Sequence, residues 1–154
     1  MADSRAPDWK HHGVRIVRAG ELDTNTPQTP GMNRAAAITH ARSGSSKLWA
    51  GTVSIHPSAK TGAHHHGELE SVIYVVGGRA RMRWGDRLEF AAEAGPGDFI
   101  YIPPYCAHRR FNTAQTEARV VVINSRIMKA IGFHWFDQLE PAKGFEDLWV
   151  PPAE

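Results

Sequence analysis

The chain has 154 residues, 42% of them hydrophobic, with a formal net charge of +2 from 18 basic and 16 acidic side chains, which suits one globular domain with one core rather than two. The charges are scattered, so no basic block calls for nucleic acid or an acidic membrane, and the single cysteine, Cys106, excludes an intramolecular disulfide framework and a cysteine-rich zinc module. No stretch approaches the ~18 apolar residues of a membrane span, and "MADSRAPDWKHHGV" at the start has no apolar signal region; a protein of the cytoplasm, with no membrane or nucleic-acid partner, is expected.

Short runs rich in β-branched and aromatic residues recur between turn signals, a spacing that predicts an all-β sandwich or barrel. In chain order, strands are expected at 14–17, 35–39, 48–55, 71–76, 79–84, 98–102, 108–112 and 118–124. The segments between them, such as "TPQTPG", "ARSGSS", "HPSAKTG", "WGDR" and "EAGPGD", hold Gly, Pro, Asn or Ser in turn-forming combinations. After Ser125 the texture changes. Met128, Ile131, Trp135 and Leu139 stand at helical spacing and predict a short amphipathic helix over 126–139, a reading that Gly132 weakens. The chain thus divides into an N-terminal arm with a first strand (1–33), a barrel (34–125) and a C-terminal helix or tail (126–154) packing on the barrel or on a partner subunit.

The stretch "GAHHHGELE" at 62–70 is the densest chemistry in the sequence, and it is too short and too internal for a purification tag. His64 and His66 stand two apart, so strand alternation puts both imidazoles on one face and sends His65 to the other. Glu70 opens the apolar run "SVIYVV", where a carboxylate is an odd choice for a core strand unless something pairs with it. A metal ion is such a partner. His108, at the start of a later strand, supplies a third imidazole, and three nitrogens with one oxygen suit a divalent transition ion such as Fe, Mn, Ni, Cu or Zn. Imidazoles must be neutral to ligate, so affinity is expected to fall as the pH drops through about 6.

These residues carry a resemblance to the cupin superfamily. Its first motif reads Gly, five residues, His-x-His, three or four residues, Glu, six residues, Gly; His64, His66, Glu70 and Gly77 match from the first His onward, while Ser58 stands at the leading glycine. The second motif reads Gly, five residues, Pro-x-Gly, two residues, His, three residues, Asn; Gly97, Pro103, His108 and Asn112 match, and Tyr105 replaces the inner glycine. The resemblance implies a double-stranded β-helix, or jelly-roll, barrel, and metal ligation by His64, His66, Glu70 and His108. It also implies pairing of subunits, and Trp135, Phe136, Phe145, Leu148 and Trp149 lie outside both motifs as material for a homodimer contact.

Around the candidate ligands, Tyr74 shares the parity of Glu70 and is expected to line the same cavity. Arg110 shares the parity of His108; pointing inward it implies an anion, whereas a register shift would turn Phe111 inward instead. Cys106 is either a nucleophile or a small buried hydrophobe. Ala80, Met82 and Trp84 are expected to face inward, leaving Arg79, Arg81 and Arg83 outside. His65 and Glu68 are taken as solvated residues, and His11, His12, His40, His56 and His134 as structural or surface residues. Four protein ligands on an octahedral ion leave two positions for water, dioxygen or a small-molecule substrate. Three functions follow from that: an oxidoreductase of dioxygenase type, a sugar-phosphate isomerase or epimerase that uses the ion as a Lewis acid, or a non-catalytic binding module.

Overall fold

The structure, a computed structural model, describes residues 8–26, 28, 30–59, 62–112, 114–125 and 140–141. Ten strands form two antiparallel sheets: β1 (Met32–Ile38), β2 (Leu48–Ile55), β3 (His64–His65), β4 (Ser71–Gly77), β5 (Ala80–Trp84), β6 (Phe90–Ala94), β7 (Phe99–Ile102), β8 (His108–Phe111), β9 (Ala118–Ser125) and β10 (Glu140–Pro141). One sheet runs β1-β2-β9-β4-β7 and the other β10-β3-β8-β5-β6. Apart from β1-β2 and β5-β6, neighbours in the sheets are distant in the chain, with β9 between β2 and β4 and β8 between β3 and β5. The two layers close as a jelly-roll barrel.

Alternation decides what the barrel contains. Along β9, Ala118, Val120, Val122 and Asn124 are buried, and each stands opposite an inward residue of β2: Ile55, Val53, Gly51 and Trp49. On the other side of β9, Ser71, Ile73 and Val75 of β4 pair with Asn124, Val122 and Val120. The interior is therefore layered. Val75, Val120 and Val53 belong to an apolar core that also takes in Met32, Met82 and Ile102, and at the far end of β4 and β9 the inward residues turn polar, with Ser71 against Asn124. In the second sheet the matching layers are His108 beside His64 and Trp84, then Arg110 beside Met82.

Two short helices, α1 (Trp9–His12) and α2 (His40–Ser43), lie outside the sheets. Thr39 Oγ1 accepts from the Arg42 amide to start α2, and Gly44 ends it in the left-handed region. Residues 14–17, expected as a first strand, form none; Val14 is 92% exposed. Their β propensity meets no partner strand among the described residues. The expected helix over 126–139 and the apolar residues Trp135, Phe136, Phe145, Leu148 and Trp149 lie outside the described residues, as does His134. The chain is described again at β10, which pairs with β3 through Glu140 with His65 and Pro141 with His64. No helix among the described residues is long and apolar enough to cross a membrane.

Candidate metal centre

β3 and β8 face each other at His64 and His108, which brings two imidazoles side by side, and the chain turns immediately afterwards to add His66. The turn needs Gly67 in the left-handed region, at φ 62°. The Tyr105 amide donates to the Gly67 carbonyl at 2.8 Å and fixes the loop before His108 against the loop after His66. The three rings lie 4.6 to 5.1 Å apart by their centroids, and one nitrogen from each lies within 4.8 Å of the others. His64 and His108 are buried; His66 keeps some exposure as a residue, with its ring turned into the cluster.

Each ring is held by its Nδ1. His64 Nδ1 lies 2.7 Å from the Gly62 carbonyl and His108 Nδ1 2.9 Å from the Cys106 carbonyl, so in both the proton sits on Nδ1 and Nε2 keeps its lone pair. His66 Nδ1 lies 3.0 Å from Ser71 Oγ, and Ser71 Oγ donates to Asn124 Oδ1 at 2.5 Å. Since the serine proton is committed to Asn124, its oxygen accepts from His66, which fixes the same tautomer there. Three Nε2 acceptors thus converge. Burial holds His64 and His66 well below the ordinary imidazole range, with the charge of His108 next in importance, and burial pushes His108 down to about 4. All three are neutral near pH 7, and three neutral imidazole nitrogens are a donor set for a divalent transition ion.

Glu70 does not join them. Ser71 is the inward residue at the start of β4, so its neighbour Glu70 faces out, exposed, and accepts a hydrogen bond from the Tyr101 hydroxyl at 2.8 Å. The fourth ligand expected from the sequence is corrected on that ground: among the described residues, the cluster is three histidines and Glu70 is not part of it. Tyr74 shares the outward parity and is corrected with it, since its ring packs against the exposed Phe99 at 4.7 Å instead of lining the interior. Arg110 does point inward. It is buried two residues after His108, and Phe111 lies on the other face under the Arg81 guanidinium. Cys106 is half-buried against the core, and burial raises its thiol above the usual range, which disfavours the thiolate a nucleophile needs.

Ala80 and Met82 face inward as expected, and the arginines flanking them are spent outside: Arg79 pairs with Glu93 at 2.9 Å and Arg83 donates to the Leu88 carbonyl. His65 is less solvated than its parity suggested, accepting from the Gly67 amide at 3.0 Å and lying against Tyr105. Ser58 and Tyr105, which replace two motif glycines, both sit at positive φ, 67° and 58°. The turns keep the left-handed conformation without the residue that adopts it most readily. Asn112 is structural: its amide donates to the carbonyls of Ile55 and Thr116 and ties β2 to the loop before β9.

Three residues at the site had no motif to reveal them: Ser71, Asn124 and Arg34, all buried. For Ser71 and Asn124 the signal was the apolar parity of their own strands, since Ile73 and Val122 face inward. Arg34 alternates with the buried Met32 and Ala36. A cavity of about 360 Å³ opens where β6 and β7 part and reaches the site at His108 and Cys106, between walls of Met82, Trp84, Ile100 and Ile102.

The family described as "Cupin domain" matches residues 51–124. Among solved structures, KdgF from Halomonas sp. superimposes with a TM-score of 0.60 at 19% identity, over 75% of this chain and 96% of that one. The polyketide cyclase RemF from Streptomyces resistomycificus gives 0.62 at 18%, over 89% and 99%. A cupin from Silicibacter pomeroyi described as a sugar phosphate isomerase gives 0.60 at 18%, over 73% and 76%. No curated protein matches by sequence.

Proposed function

The chain belongs to the cupin superfamily, and from that premise we propose that it is a metal-dependent enzyme acting on a small organic molecule, an oxidoreductase of dioxygenase type centred on His64, His66 and His108. The observation that carries this reading is the convergence of three Nε2 atoms whose rings are each fixed through Nδ1. A divalent ion held there supplies Lewis acidity and, if it is redox-active, oxygen chemistry at the positions the protein leaves open.

The chain's own residues do the rest. The carbonyls of Gly62 and Cys106 and the hydroxyl of Ser71 hold the imidazoles in one tautomer and orientation. Burial keeps them unprotonated, and the apolar walls formed by Met82, Trp84 and Ile102 limit the access of water. Oxidation is favoured over a proton-shuttling isomerisation by what surrounds the cluster. Among the described residues, the other buried polar side chains are Ser71, Asn124, Asn112, Arg34 and Arg110, none of which is a general base at neutral pH.

Metal analysis of protein purified without added metal, followed by oxygen uptake with a panel of diketones, catechols and thiols, tests the proposal. Bound iron or another redox-active ion, with uptake that disappears in His66→Ala, is the expected result. Stoichiometric zinc with no uptake on any of the panel overturns it.

A further inference from the structure

β6 and β7 follow one another in the chain, yet each is the last strand of its sheet, and the segment 95–98 carries the chain from one layer to the other. The barrel is open along that seam. The cavity of about 360 Å³ occupies it, within the roughly 300–1,000 Å³ of pockets that hold small molecules. Burial gives the cavity a direction. Ala92, Asp98 and Phe99 at its mouth are exposed, while Met82, Ile102 and His108 at its floor are buried, so it leads from solvent to the three-histidine cluster. The side chains of β6 leave the room: Ala92 stands opposite Met82 and Ala94 opposite Ala80. From Ala80 to Trp84, the residue paired with His108, β5 advances four positions, about 13 Å, the length of a ring with a short chain.

The lining selects among ligands. Among the described residues it holds no Ser, Thr, Tyr, Asn or Gln, so the hydroxyls of a sugar would enter without hydrogen-bond partners, which is costly. It also holds no Lys or Arg. Its two carboxylates are engaged, Glu93 with Arg79 at 2.9 Å and Asp98 Oδ2 by accepting from the Gly95 amide at 2.8 Å, and the charge left over at the mouth is the negative one of Asp98. An anionic group in the cavity is therefore disfavoured. The walls instead suit a flat apolar group. The Trp84 ring, stacked with Phe90 at 5.9 Å between centroids, offers an aromatic surface, and Met82 beside it offers a thioether, which contacts ring edges favourably.

We propose that the seam between β6 and β7 admits an uncharged aryl ketone, its ring held between Trp84, Met82 and Ala92 and its carbonyl oxygen turned toward His64, His66 and His108. This rests on the functional reading above for what the imidazoles do with that oxygen, but the binding of the ring does not require an ion. Ala92 determines the size of ring that enters, because its side chain shares the inward face of Met82 and any larger residue there fills the cavity.

Calorimetric titration of the full chain, as purified and after dialysis against a chelator, tests this with 1-phenylbutane-1,3-dione, with pentane-2,4-dione, which lacks the ring, and with 4-(3-oxobutanoyl)benzoate, which carries a carboxylate on it. The phenyl dione should bind at least 10-fold more tightly than either of the others in both preparations, and Ala92→Leu should weaken it at least 10-fold while leaving pentane-2,4-dione within about twofold. Equal affinity with and without the ring, tighter binding of the carboxylate, or undiminished phenyl dione binding in Ala92→Leu overturns the proposal; the last of these would put the ring elsewhere, as on the exposed Phe99 and Tyr101. The comparison of the three ligands uses the unmodified chain, so it stands even if the variant fails to fold. Ring preference in the chelated protein reports on the cavity, whereas metal content and oxygen uptake report on the functional reading, so the two fail separately.

Discussion

Glu70 and Ser71 are adjacent residues that one strand sends to opposite faces, and the difference decides the ligand set. If the centre is three histidines, Glu70→Gln should keep full metal stoichiometry by elemental analysis, while His66→Ala should lose most of it, because one of three strong bonds is gone. Loss of metal in the Glu70 variant would restore the carboxylate as a ligand. The buried imidazoles also set a pH dependence. Their folded values lie below the unfolded value of 6.5, so as pH falls through 6.5 the unfolded chain takes up protons that the folded chain refuses, until His108 accepts one near 4. Stability of the metal-free protein should therefore be level above about pH 6.5 on their account and fall between there and about 4; His108 alone is worth on the order of 3 kcal/mol across that window. Urea midpoints at pH 7.5 and 5.0 check this, and an unchanged midpoint would contradict neutral, buried rings. Metal loss, expected from the sequence to begin near pH 6, moves lower for the same reason.

At the scale of elements, the strands with β-branched cores were legible and the others were not. β2 and β9 declare themselves through Val53, Ile55, Val120 and Val122. β6 reads "FAAEA", with no β-branched residue, and is a strand because the turn after Trp84 folds it back on β5, where Phe90 pairs with Trp84 and Ala94 with Ala80. The opposite happened at 14–17, where suitable residues have no strand to pair with. β1 and β2 pair at Gly51, opposite Ala36, where the register of β1 shifts on its way to Ile38. A Cβ at Gly51 would lie 2.4 Å from the Ala35 carbonyl oxygen and 2.8 Å from the Trp49 ring. Gly51→Ala should consequently lower stability by about 2 kcal/mol, since backbone and a buried indole must both move. A urea midpoint equal to that of the parent chain would show that the two strands have slack there.

The whole molecule keeps its polar layer at one end of the interior and an apolar surface on the outside of the five-stranded sheet that contains β9. Phe99 is 72% exposed and Tyr101 57%, on the edge strand β7, next to Tyr74 on β4. Aromatic surface of this kind is more typical of interface cores than of solvated faces. We propose a homodimer through this sheet, for which light scattering should give twice the 17.0 kDa of the chain at micromolar concentration. The double variant Phe99→Glu, Tyr101→Glu should shift the particle to a single chain. A parent particle of 17.0 kDa would rule the dimer out, and a dimer that survives both substitutions would place the contact elsewhere.

The sequence by itself determined the barrel and the histidines, because both depend on short-range regularity: period-two burial marks the strands, and His64, His66 and His108 carry their spacing within two compact motifs. Tertiary structure alone decided the rest. Whether Glu70 or Ser71 faces the cluster turns on a one-residue register that only the pairing of Ser71 with Asn124, across more than fifty residues, fixes. The nearness of Arg34 to Arg110, whose charge acts on it, is likewise invisible along the chain, since β1 and β8 lie in different sheets and their inward faces share an interior only when the barrel closes. Alternation assigns a side chain to a face; closure of the barrel determines which faces share an interior.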